Sequence, residues 1–336
     1  MSDAGPTDLL PLLKEVSRSF YLTLRVLPAQ VRFQIGLAYL LARTTDTIAD
    51  TELVPPARRL EALQRLREAV LVSDTPALDF GELARCQASP AERVLLERWE
   101  ATRSLLARLS PDDLALVRRV LDVITGGQEL DLRRFSGDRA GGPAALRDGA
   151  ELDDYTYRVA GCVGEFWTRI CRAHLFPGAS LDDHRLLEEG VRFGKGLQLV
   201  NILRDLPADL KQGRCYLPLD DLTRAGLAPA DLLSPANEPR LRPVYNEWLA
   251  RAAAHLAAGW NYTNTLPWTC VRVRLACAWP VLIGLDTVRL LEKTPVLDPA
   301  RRVKITRGRV KGILWRSVLY YPLPGVWRGL GQGRGV

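Results

Sequence analysis

Residues 39–52 read YLLARTTDTIADTE, and residues 198–218 read QLVNILRDLPADLKQGRCYLP. In the first stretch Asp46 and Asp50 stand four residues apart, at the end of an apolar run of helical period from Val31 to Thr51 with no internal proline. That spacing predicts both carboxylates on one face of a helix. Like charges so placed oppose each other by about 0.2–0.5 kcal/mol on a solvated helix. The cost rises in apolar surroundings, so a cation is expected beside them. In the second stretch Asp205 and Asp209 repeat the spacing, with Asn201 and Gln198 one and two turns earlier. Pro207 lies between them and removes a ladder hydrogen bond, which predicts a helix end near Asp209. A single D-x-x-x-D is most often a solvated helix face. Here there are two, each after an apolar helical run and each preceded by an arginine, Arg43 or Arg204. Carboxylates are hard oxygen ligands suited to Mg2+, which takes one or two of them together with phosphate oxygens. Arginine adds bidentate contacts to phosphate.

The rest of the chain also reads as helix. Pro28 suits the first turn of the Val31–Thr51 unit, and Pro55-Pro56 ends it. Ala57 to Val72 is amphipathic. Ser89-Pro90 and Ser110-Pro111 are two helix starts, predicted to run to about Leu109 and Leu132. Leu152–Leu175, Asp182–Leu206, Pro243–Tyr262 and Pro267–Leu291 follow, and residues 136–149 read as a loop. No sustained period-two run indicates strands, and no repeat of 20–50 residues is visible. The expectation is an all-α chain forming a single domain over residues 1–336.

The composition is that of an ordinary globular protein: 336 residues, 47% hydrophobic and 25% charged. No run approaches the roughly 18 apolar residues of a spanning helix. The N-terminus lacks a basic segment followed by an apolar one, so no secretory leader is expected. Six cysteines form no C-x-x-C pair, consistent with reduced thiols in the cytoplasm. His174, His184 and His255 form no metal set. The net charge is +7, and 40 of the 46 basic residues are arginine. A basic surplus favours anionic partners, but no nucleic-acid-binding signature accompanies it, so nucleic acid is not an expected partner. The surplus concentrates at the end, with seven Arg, two Lys and no acid after Asp298.

Taken together the motifs resemble the squalene/phytoene synthase family. SRSF (Ser17–Phe20) is similar to its N-terminal signature and YLLARTTDTIAD (Tyr39–Asp50) to its first aspartate motif. YTYRVAGCVG (Tyr155–Gly164) resembles its YxxxVAGxVG segment, and Gln198–Pro218 its second aspartate motif with the G-R-x-Y-L-P that follows. CAWP (Cys277–Pro280) and VKITRG (Val303–Gly308) resemble segments of squalene synthases, so the likeness is nearest to the bacterial squalene synthases. Arg158 departs from the tyrosine segment, and the first motif carries one acid fewer than some relatives. The membrane helix of eukaryotic squalene synthases has no counterpart here.

The resemblance implies an isoprenoid-synthase-type helical bundle around a central cavity. It also implies head-to-head coupling of two prenyl diphosphates through a cyclopropyl diphosphate, followed by NADPH-dependent reduction to squalene. Phytoene or dehydrosqualene formation without reduction stays open, as do the donor length and the oligomeric state. Asp46, Asp50, Asp205 and Asp209 are the implied Mg2+ ligands. Arg43, Arg204 and Tyr39 are implied in catalysis, with Tyr157 (or Tyr155) as proton relay. Arg18, Ser19, Phe20, Gln198, Asn201, Arg214 and Tyr216 are implied to bind substrate diphosphate, and Lys304 and Arg307 the nicotinamide cofactor. No G-x-G-x-x-G follows a strand, so the NADPH expectation rests on the resemblance alone. Gln128 and Asp131 in GGQELD either line the cavity or face solvent. The tail from residue 313 to 336 interleaves aromatics with arginines; it either packs on the core or lies at the inner face of a membrane.

Overall fold

The computed structural model describes residues 10–16, 20–137, 142–301 and 303–332. Arg18 and Ser19 lie outside the described residues, and only the backbone of Phe20 is described. The chain gathers into two compact units, residues 1–136 with 169–177 and residues 137–168 with 178–336. Among the described residues the only strand pairing is a two-residue parallel one, Ala144–Ala145 with Arg214–Cys215. All other regular structure is helical, as the apolar periodicity predicts.

The first unit contains α1 (Leu10–Val16), α2 (Phe20–Val26), α3 (Ala29–Ala49), α4 (Pro56–Leu71), α5 (Gly81–Arg85), α6 (Pro90–Glu97), α7 (Trp99–Ser104) and α8 (Pro111–Phe135). Helix α3 buries Val31, Ile35, Leu37, Leu40, Leu41 and Ile48 on the side that meets α8 and α4. Pro55-Pro56 both ends the preceding segment and opens α4, since proline at a first turn lacks only an N–H that is unpaired anyway. Ser110 caps α8 by accepting from the Asp113 N–H at 3.2 Å. The buried Asp113 carboxylate then accepts from Gln34 of α3 at 3.1 Å and meets His174 Nε2 at 2.8 Å. The helix expected from Ser89 to Leu109 is instead three pieces, α6, α7 and a 3-10 turn over Leu105–Arg108. Ser89 stands at the N-cap but makes no side-chain cap bond.

The second unit contains α9 (Gly149–Thr156), the first half of α10 (Cys162–Leu175, whose residues from Arg169 on belong to the first unit), α11 (Asp183–Lys211), α12 (Leu219–Arg224), α13 (Glu238–Thr265), α14 (Val271–Lys293), α15 (Arg307–Leu319) and α16 (Pro324–Gly329). A π-helical turn over Tyr157–Gly161 joins α9 to α10. Two glycine contacts explain why the VAGCVG stretch has its composition. A Cβ on Gly164 would stand 1.9 Å from the Gly190 carbonyl oxygen, and one on Gly194 would stand 2.1 Å from that of Ala160. Backbone meets backbone there, and only glycine leaves room.

Helix α11 does not end at Pro207; it continues to Lys211. Proline deprives the carbonyl four residues back, that of Leu203, of its usual donor. The buried Tyr245 hydroxyl, on α13, donates to this oxygen at 2.9 Å. The expected break is thereby offset, and Asp205 and Asp209 stay on one face.

Gly164→Ala is expected to lower the free energy of unfolding by at least about 1–3 kcal/mol in urea titrations. Gly312→Ala, whose Cβ would meet nothing within 4 Å, should cause no loss. Tyr245→Phe should cost about 1–3 kcal/mol, since it orphans the Leu203 carbonyl.

Candidate active site

Helix α3 delivers Tyr39, Arg43 and Asp46 from its last three turns, and Asp50 is its C-cap residue. A helix C-terminus already presents unpaired carbonyls, so two carboxylates there face a field of their own sign. Part of the compensation is visible. Arg59, from α4, donates from Nη1 to the Ala49 carbonyl at 2.6 Å. Thr44, Thr47 and Thr51 are buried and turn their hydroxyls back onto the carbonyls of Leu40, Arg43 and Thr47. These threonines therefore offer the carboxylates no donor. Arg43 lies 3.9 Å from Asp46, but its guanidinium is engaged with Glu92 of α6. Asp46 thus shares its arginine with Glu92.

Burial first, and then the charge of Asp50, push the Asp46 carboxyl up from 3.8 to about 7, against the lowering effects of Arg43 and Gln128. Nearly half of the Asp46 side chain (48%) still meets open space, so water offsets part of the desolvation. The buried Gln128 of α8 donates from Nε2 to Asp46 Oδ1. Its own Oε1 is buried with no hydrogen-bond partner. GGQELD carried this signal in the sequence. The Glu92 contact carried none, being 49 residues distant from Arg43.

Helix α11 delivers Gln198, Asn201, Arg204, Asp205 and Asp209. Asn201 lies one turn from Asp205 and is exposed, with Gln198 3.5 Å from it. Arg204 clamps the adjacent Asp205 with two donors, Nε at 3.0 Å and Nη2 at 2.5 Å. That hydrogen bonding, reinforced by the charges of Asp205 and Asp209, raises the Arg204 pKa. Asp205 therefore holds its arginine directly, whereas Asp46 shares Arg43 with Glu92. Arg214 forms part of the short strand pairing, and Tyr216 is buried against Tyr155, their rings stacked at 4.7 Å.

That stacking distinguishes the two tyrosines of the YTYRVAGCVG segment. Tyr155 is a packing residue. Tyr157 is half-buried and donates from its hydroxyl to Glu165 Oε2 at 3.3 Å. Lys195 lies over the Tyr157 ring at 5.8 Å and is itself held by both oxygens of Asp153 at 2.8 Å. Glu165 is eight positions from Tyr157, and the π-turn over Tyr157–Gly161 lies between them. Arg158 is accounted for by Asp154 at 2.8 Å. Lys304 is exposed in the segment before α15, and Arg307 is exposed at the helix start. Among the described residues neither pairs with a carboxylate. Two exposed cations three residues apart suit a phosphate-bearing dinucleotide in charge alone.

The donor sets fit Mg2+ at each aspartate pair: hard carboxylate oxygens on one helix face. Among the described residues no three His, Cys, Asp or Glu side chains converge on one point.

These features define an all-helical enzyme of the prenyltransferase type. A profile of the squalene/phytoene synthase family matches residues 13–309. Presqualene diphosphate synthase of Zymomonas mobilis is 31% identical over 251 residues, covering 75% of this chain and 73% of that protein. A bifunctional lycopene cyclase/phytoene synthase of Phaeosphaeria nodorum is 26% identical over 319 residues, 94% of this chain but only 51% of that protein. A solved complex of TcSQS with the ligand E5700 superposes with a TM-score of 0.76 at 22% identity, covering 100% of this chain and 93% of that one. The chain belongs to the squalene/phytoene synthase family and has its all-α isoprenoid-synthase fold, as the motifs imply.

The raised Asp46 pKa has a consequence for stability. Between about pH 4 and 7 the folded protein binds a proton that the unfolded chain releases, so this group's contribution to stability falls as pH rises through that window. In metal-free buffer Asp46→Asn should raise the melting temperature relative to the parent protein. The gain should grow from pH 5 to pH 8. A gain independent of pH would contradict the assigned environment.

Proposed function

We propose that this protein couples two farnesyl diphosphates head to head, releasing one diphosphate and one proton and forming the cyclopropyl product presqualene diphosphate. The observation that carries this reading is the pair of D-x-x-x-D faces, each with its own arginine, in a chain of this family. Support for the cyclopropyl product comes from the similarity to presqualene diphosphate synthase.

In this reading Asp46 and Asp50, and Asp205 and Asp209, hold Mg2+. When bound, Mg2+ supplies the positive charge that neutralises the departing diphosphate. Arg43 and Arg204 stand ready to contact phosphate oxygens, exchanging part of their present pairing with Glu92 and Asp205 for the substrate. Arg18, Ser19, Arg214, Gln198 and Asn201 contribute further polar contacts. Gln128 holds Asp46 in place from below. Tyr157 receives a proton on its hydroxyl oxygen while passing its own to Glu165, which accepts its hydrogen bond. Aromatic side chains such as Tyr39 and Phe166 exclude water from the carbocation and stabilise it by their ring faces.

A second reading adds reduction of the cyclopropyl product to squalene by NADPH. The CAWP and VKITRG segments favour it, with Lys304 and Arg307 as the contacts to the dinucleotide phosphates. Purified protein incubated with farnesyl diphosphate and Mg2+, with and without NADPH, separates the readings by mass spectrometry of the products. Presqualene diphosphate in both incubations supports the first reading, and squalene only with NADPH supports the second. Phytoene from geranylgeranyl diphosphate, with nothing from farnesyl diphosphate, overturns the substrate assignment.

Asp46→Asn and Asp205→Asn should each lower turnover about a hundredfold or more with unchanged helical circular dichroism. Near-normal turnover in both variants would remove the aspartates from the mechanism.

A further inference from the structure

The C-terminal segment divides its apolar side chains between two opposite fates. Tyr321 and Trp327 are buried, and both pack on the guanidinium of Arg274, itself only 2% exposed. Arg274 lies 4.6 Å from the ring of Trp268, 5.8 Å from that of Tyr321 and 5.7 Å from that of Trp327. Hydrogen bonds fix the same region. Tyr321 donates to the Trp268 carbonyl at 2.5 Å, Trp327 Nε1 to Asn264 Oδ1 at 2.9 Å, and Trp279 Nε1 to the Ser317 hydroxyl at 2.9 Å. The inner side of α15 is held by Asp286 of α14, which accepts from Arg309 at 2.5 and 3.1 Å. The segment is therefore a docked part of the second unit.

Its outer side is different. Trp315 is 75% exposed, Leu319 61%, Leu323 53%, Val318 51% and Val326 47%. Five of the thirteen exposed large apolar side chains among the described residues thus fall within residues 315–326. Trp315, Val318 and Leu319 share one face of α15, with Lys311 one turn before Trp315 on that same face. Arg328 is exposed just beyond Val326. Isolated exposed apolar residues need no explanation, but a cluster on one helix face does.

We infer that the outer face of α15 and the turn that follows it form a docking platform for the surface of an anionic lipid bilayer. Charge selects this occupant. Residues 299–336 hold only basic ionisable side chains of Lys and Arg, with no Asp or Glu. A second copy of the chain would bring the same positive rim against itself, whereas anionic headgroups complement it. Tryptophan suits the boundary between headgroups and acyl chains, where its ring is apolar and its N–H stays wet. No described helix is long and apolar enough to cross a membrane, so the contact is with the surface. Docking by this face places the protein where a water-insoluble product can pass into lipid without crossing water. The inference itself depends only on the platform and holds for any reaction the enzyme performs.

The test is flotation of the full chain with vesicles of phosphatidylcholine alone and of phosphatidylcholine with phosphatidylglycerol at roughly three to one. Binding is expected to the anionic vesicles and to weaken with salt. Trp315→Ser combined with Leu319→Ser should reduce it at least about tenfold, with circular dichroism and turnover of detergent-dispersed substrate unchanged. Lys311→Glu with Arg328→Glu should weaken binding at low salt and abolish the preference for anionic lipid. Equal flotation of parent and Trp315/Leu319 variant, or no flotation of the parent, overturns the proposal. So does a dimer in sedimentation velocity that the same two substitutions dissociate, because it assigns the face to a second copy.

Discussion

Negative charge gathered at the end of a helix is the constraint on which the site depends. Asp46 and Asp50 stand where α3 exposes its last carbonyls, Gln128 donates to Asp46, and the neighbouring threonines are bonded to their own backbone. The protein neutralises the helix end with Arg59, and Asp46 shares Arg43 with Glu92. The second aspartate pair lies on α11, where Arg204 already spans both oxygens of Asp205. The two pairs share a spacing but differ in electrostatic state.

Holding those carboxylates at fixed positions is a packing problem. In the second unit α11 is set by glycine contacts that let its backbone touch that of the π-turn and α10, with Gly164 against Gly190 and Gly194 against Ala160. Across the π-turn Tyr157 donates to Glu165. Tyr245 supports the far end of the same helix at the proline that would otherwise terminate it. Backbone approach, a register shift and one buried hydroxyl together fix the side chains that the sequence motifs single out.

The helices were legible wherever the cause was local. The Ser110 cap of α8, the proline starts and the apolar face of α3 follow from residues a few positions apart. The choice of both aspartate pairs and of Tyr157 came from the family resemblance rather than from a local cause. What could not be read was set by distant partners. The continuation of α11 past Pro207 depends on a tyrosine 42 residues from the Leu203 carbonyl. The diversion of Arg43 by Glu92, and the division of the tail into a caged inner side and an exposed outer side, depend on tertiary contacts in the same way.

The central claim is that the aspartates hold a divalent cation together with diphosphate. It is tested most directly by electron paramagnetic resonance of Mn2+ titrated into the protein in the presence of inorganic diphosphate. The account predicts protein-bound Mn2+ that depends on diphosphate and is lost in both Asp46→Asn and Asp205→Asn. Binding of Mn2+ and diphosphate that is unchanged in both variants would contradict it.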